Sequence, residues 1–156
     1  MDLRHLIAEL PVTRVDGSLD RTISGLAYDS RRVTPGMVFV ALPGQHTDGH
    51  DYVSDAVARG AVAIVGERAG IAPRRATRIT VTDSRLSLAL AAAAYHGHPS
   101  RRLRVVGITG TSGKTTVAFI LKQMLEAAAI RTGLISTICH QIGDRVVPAQ
   151  RTTPEA

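Results

Sequence analysis

The chain has 156 residues, room for one ordinary domain or two small ones, and at 44% hydrophobic and 21% charged it is globular, not disordered. No apolar run reaches the roughly 18 residues of a membrane helix, the N-terminus is too short and too charged for a secretory signal, and the single cysteine, Cys139, excludes an internal disulfide. The net charge of +6 is carried by scattered arginines and aromatics are only 3%, so the expectation is a cytoplasmic protein with neither nucleic acid nor membrane as a partner.

Leu3, Leu6, Ile7 and Leu10 recur at helical spacing behind Asp2, a candidate cap. "TISGLAYDS" and "MVFVAL" read as strands around a turn at Pro35-Gly36. "DYVSDAVARG" predicts a short helix ended by Gly60. "AVAIV" and "TRITV" predict buried strands, and Asp83 or Ser84 can cap an Ala-rich helix closed by Gly97. Strands alternating with helices give an α/β domain with at least partly parallel pairing.

"GHPSRRLR", residues 97–104, breaks the pattern and predicts a hinge. The expected division is a small N-terminal α/β domain over 1–98 and the incomplete beginning of a second domain over 99–156. In the second, "RVVGIT" reads as a strand. "TTVAFILKQMLEAAA" predicts a helix with Val117, Ile120, Leu121, Met124 and Leu125 on one face. "TGLIST" is the next strand, and "CHQIGDRVVP" a hairpin turning at Gly143-Asp144. So short a sheet is expected to leave an edge and an apolar helix face uncovered.

"VVGITGTSGKTTVAFILKQML", residues 105–125, carries the chemistry. A strand feeding a helix through a glycine loop meets phosphate charge with backbone N–H groups and the positive end of the helix. Glycines are needed because a Cβ would block close approach or forbid the required φ. Lys114 can reach the β- and γ-phosphates, and the Thr115 hydroxyl can hold Mg²⁺. Gly107 and Gly110 flank Ile108, where the strict phosphate-loop pattern has a glycine, so the motif is the variant G-x-x-G-x-x-G-K-T-T. The plainer alternative is a glycine-rich turn with a capping threonine.

Three separated stretches resemble the Mur ligase family. "GITGTSGKTT" resembles its ATP loop, a P-loop-type motif opening the central domain. "YDSRRVTPGMVFVALPGQHTDGHDYVSDAVARGAVAIV" resembles the N-terminal domain of the MurE and MurF types. "RTGLISTICHQIGDRVVPAQRTTPEA" is similar to the MurE, tripeptide-synthetase type. The resemblance implies an ATP-dependent ligase of peptidoglycan precursor synthesis. Its substrates would be UDP-MurNAc-L-Ala-D-Glu and an amino acid, meso-diaminopimelate or L-lysine, joined through an acyl phosphate with ATP and Mg²⁺. It implies that Gly110, Thr111, Ser112, Gly113, Lys114, Thr115 and Thr116 bind ATP, with Thr115 on the metal and Lys114 catalytic. It also implies that Ser30, Gln45, His46 and Thr47 contact the uridine nucleotide and that Thr152 and Thr153 contact the muramyl peptide.

The resemblance implies further that the central domain is only begun here, so the expectation is a truncated, monomeric portion, inactive alone in ligation. Plainer readings stand beside these. Ser30 can be a strand-end cap, and Thr152-Thr153 can cap a helix. His46 and His50 around Asp48 make a surface turn in preference to a metal site. A non-catalytic UDP-sugar-binding module and a MurF-type portion are the alternatives for the whole.

Overall fold

In the computed structural model, which describes residues 1–44, 47–69 and 75–149, the apolar runs of the first half become central strands of one sheet. Its strands are β1 (Val12–Asp16), β2 (Gly25–Ala27), β3 (Met37–Val40), β4 (Ala63–Gly66) and β5 (Thr77–Val81), in spatial order β1-β5-β4-β3-β2. β2 to β5 are parallel and β1 is antiparallel on the outer edge of β5. Register is set by pairs such as Phe39 with Ile64 and Val65 with Ile79.

Successive side chains of a strand point to opposite faces, and both faces here are covered. Val38, Val40, Ala63, Val65, Ile79 and Val81 pack with α1 (Leu3–Ile7) and α3 (Ser84–Tyr95). Phe39, Ala41 and Ile64 pack on the other face with Ala56 of α2 (Val53–Ala58). This explains why β3 and β4 read as unbroken apolar runs instead of alternating ones. Phe39 is 1% exposed, and burial of a side chain that size contributes about 1.5–3 kcal/mol.

The helix ends follow local chemistry. Asp83 caps α3 by accepting from the Leu86 N–H at 2.8 Å. Asp2 stands at the start of α1 with no side-chain cap bond, contrary to the expected role. β2 and β3 run parallel, joined through a 3₁₀ turn, Ser30–Arg32, and the expected turn at Pro35-Gly36, across which the Met37 N–H donates to the Thr34 carbonyl at 3.2 Å. β1 has no counterpart among the expected strands. Its edge position leaves Thr13 and Arg14 in solvent, and the apolar signal is correspondingly thin.

The chain divides into two units, Met1–Leu103 and Arg104–Ala156. In the second, the strand expected at 104–109 does not form. Among the described residues no strand pairs with it, and Val105 and Val106 are 74% and 65% exposed. A strand is stable only with a ladder partner, whatever its propensity. The helix does form, as α4 (Lys114–Ala127). It is followed by an antiparallel sheet of β6 (Gly133–Ile135), β7 (Cys139–Ile142) and β8 (Arg145–Pro148), with the β7–β8 turn at Gly143, φ +55°. Among the described residues, no helix is long and apolar enough to cross a membrane.

Candidate functional site

The glycine loop carries the expected phosphate chemistry. Gly110 and Gly113 take φ of +154° and +75°, backbone that L side chains rarely adopt. Gly113 is the N-cap of α4 and supplies no side chain to satisfy the helix's first N–H groups. Those amides have no partner within the helix, so they are left for an acceptor from outside. Thr111 to Lys114 and Thr116 are exposed, and Thr115 is half-buried.

The Lys114 ammonium donates to the Gly110 carbonyl at 2.5 Å, which curls the side chain over the loop it belongs to. The Thr115 hydroxyl lies 3.3 Å from that of Thr137, just before β7. Seven expected residues, Gly110 to Thr116, therefore sit on one turn at one helix end. The donor set suits a polyphosphate: backbone amides, one mobile ammonium and a hydroxyl beside it. Thr115 is the residue here whose hydroxyl could take a place on Mg²⁺. The other lysine, Lys122, is 9% exposed and bonded to both oxygens of Glu126 at 2.6 Å, which holds that carboxyl below its ordinary range.

In the first unit Ser30 and Thr47 follow the carboxyl ends of the adjacent parallel strands β2 and β3, the end at which open α/β sheets bind ligands. Ser30 follows β2 and opens the 3₁₀ turn, whose cap is Asp29, accepting from the Arg31 N–H at 3.0 Å. Ser30 is 6% exposed. The Asp55 carboxyl is held below the ordinary range, first by the Ser30 hydroxyl and then by Arg59, whose Nε donates to it at 3.1 Å.

Thr47 is exposed in the loop after β3. Gln45, His46, Thr152 and Thr153 lie outside the described residues. His50 departs from the surface-turn reading: its side chain is 4% exposed. Nδ1 meets Asp48 Oδ1 at 2.6 Å, and Nε2 accepts from the backbone N–H of Glu67 at 3.0 Å and of Arg68 at 3.3 Å. Asp48 also pairs with Arg68 and is held below its ordinary range, first by the His50 backbone N–H and then by the ring. Sequence reasoning missed this network because its partners stand 17 and 18 residues apart in the chain. Among the described residues no group of three His, Cys, Asp or Glu could hold a metal ion.

Two family models match the chain: "Mur ligase family, catalytic domain" over residues 22–97 and "Mur ligase middle domain" over 108–156. A curated relative from Syntrophomonas wolfei, named UDP-N-acetylmuramoyl-L-alanyl-D-glutamate--2,6-diaminopimelate ligase, is 46% identical across all of this chain and 32% of its own length. One from Roseiflexus, a UDP-N-acetylmuramyl-tripeptide synthetase, is 49% identical over 86% of this chain and 27% of its own. The MurF ligase of Thermotoga maritima, solved in complex with ADP, is 37% identical over 69% of this chain and 23% of its own, with a TM-score of 0.52. The chain thus spans about a third of the length of the curated relatives it matches.

Proposed function

The chain belongs to the Mur ligase family, and on that premise we propose that it carries the UDP-substrate domain and the ATP loop of a MurE-type ligase. The reaction would be ATP-dependent addition of meso-diaminopimelate or L-lysine to UDP-MurNAc-L-Ala-D-Glu in peptidoglycan precursor synthesis. The observation that carries the reading is the identity of 46% along the whole chain to a relative named for this reaction with diaminopimelate. We place the domain division at 98/99, in the segment preceding the glycine loop. The loop's bared amides support the ATP role of Gly110 to Thr116, and the strand-end placement supports the uridine role of Ser30 and Thr47. Gln45, His46, Thr152 and Thr153 are assigned to substrate by resemblance alone.

A carboxylate is a poor electrophile and repels the phosphate it must attack. Mg-ATP, when bound, supplies the phosphoryl group that turns the D-Glu carboxylate into an acyl phosphate open to the incoming amine. The chain's own contribution is positioning and charge. The amides from Gly113 onward hold the phosphates, and Lys114 leaves the Gly110 carbonyl to neutralise charge on the β- and γ-phosphates. The Thr115 hydroxyl would hold Mg²⁺. In the uridine site, the Ser30 hydroxyl would contact the nucleotide.

Calorimetric titration of the 156-residue chain tests this. Mg-ATP and UDP-MurNAc-L-Ala-D-Glu are each expected to bind, as a monomer and in the cytoplasmic salt range, with no phosphate released when the amino acid is added. Failure of both titrations overturns the proposal. Phosphate release dependent on dipeptide and amino acid overturns the expectation that these residues alone do not ligate.

A further inference from the structure

The loop after β3 is pinched twice. The Gly49 N–H donates to the Leu42 carbonyl at 2.9 Å, and a Cβ on Gly49 would stand 2.7 Å from the Leu42 nitrogen. Higher up, a Cβ on Gly44 would stand 2.4 Å from the Thr47 carbonyl oxygen. At Gly44 and Gly49 the backbone approaches too closely for a Cβ, and only glycine permits it. Nothing in those pinches fixes the loop to the rest of the sheet. His50 does.

The ring is buried and bonded at both nitrogens. Because Nε2 accepts two backbone N–H bonds, the proton sits on Nδ1 and is donated to Asp48. One ring therefore ties the loop's closing residue to the chain leaving β4. Gly66, the last residue of β4, makes room, since a Cβ there would lie 2.6 Å from Nε2. Glu67 carries the tie onward, its carboxylate accepting from the Ser84 N–H at 2.8 Å at the start of α3.

We propose that His50 is a positioning residue for the uridine nucleotide: through Asp48 it holds the adjacent Thr47 at the carboxyl edge of the sheet. This rests on the reading of that edge as the UDP-substrate site. A contact group held by a buried partner binds without first being ordered, and loss of that order weakens binding by roughly 2- to 10-fold.

The test uses the 156-residue chain and UDP-MurNAc-L-Ala-D-Glu. His50→Gln can still accept from Glu67 and Arg68 but cannot also reach Asp48, and His50→Phe loses all three bonds while keeping bulk. Each is checked for a native melting transition. Both are expected to bind the UDP ligand roughly 2- to 10-fold more weakly than the unsubstituted chain. In nitrogen NMR, ligand should shift the Thr47 amide in the unsubstituted chain and much less in His50→Gln. If His50→Phe does not fold, His50→Gln and the NMR readout decide alone. Unchanged affinity and an unchanged Thr47 response in His50→Gln overturn the inference and leave the uridine reading intact. No UDP-ligand binding by the unsubstituted chain overturns the reading, and the inference with it.

Discussion

The Lys114 ammonium donates to the carbonyl of Gly110, four residues earlier on the same loop. That bond is exposed and local, so it contributes little to folding, and it holds the charge beside the amides that would take phosphate. Lys114→Ala is therefore expected to leave the melting temperature unchanged and to weaken Mg-ATP binding at least tenfold, read by calorimetry. Lys114→Arg should not restore it, because a planar guanidinium does not replace a compact ammonium in so tight a turn.

α3 and α4 end in the same motif with different residues. After α3, Gly97 (φ +70°) donates to Ala94, and His98 to Ala93. After α4, Ala129 (φ +60°) donates to Glu126, and Ile130 to Leu125. Both are Schellman ends, but alanine pays a steric cost in left-handed backbone that glycine does not. Ala129→Gly should stabilise the second unit by about 1 kcal/mol, and Gly97→Ala should destabilise the first by about the same. A Cβ at 97 meets nothing within 4 Å, so urea midpoints report the backbone term alone.

Gly66 and His50 should be energetically coupled. Gly66→Ala drives a Cβ to 2.6 Å from Nε2 and is expected to cost about 1–3 kcal/mol. In a His50→Ala background the clash is gone. A double-mutant cycle should give a coupling of about 1 kcal/mol or more. Additive costs would show that the ring moves aside freely.

The architecture of the first unit was legible because β3 and β4 are buried on both faces and α3 begins and ends on local signals, Asp83 and Gly97. The expected strand at 104–109 failed for a non-local reason: its valines have the propensity but find no ladder. The glycine loop was legible as a motif, since one turn holds all its parts. The His50 network was not, because what makes that histidine structural is the burial of its ring and two amides from another strand's end.

The pH profile of the first unit should carry Asp48. Its folded pKa lies below the unfolded value, so its stabilising contribution is complete above about pH 4 and is lost as pH falls through the folded pKa. Asp29 and Asp55 titrate low as well. The term is isolated as the difference between the unsubstituted chain and Asp48→Asn. That difference in unfolding free energy should be constant near neutrality and shrink in acid; a gap that widens in acid contradicts the assignment.

Stability should be uneven between the units. Val117, Ile120 and Met124 on α4 are 51%, 52% and 65% exposed, whereas Leu6, Val40 and Ile64 are fully buried. A helix held by few buried contacts opens locally at low cost. Amides of α4 are therefore expected to exchange orders of magnitude faster than those of β3 and β4 in the 156-residue chain. Ile120→Lys should change stability by less than about 0.5 kcal/mol, as an exposed substitution does, while Leu6→Ala should cost about 2–5 kcal/mol. Exchange in α4 as slow as in β4, or a large penalty for Ile120→Lys, would mean that this apolar face is covered in solution.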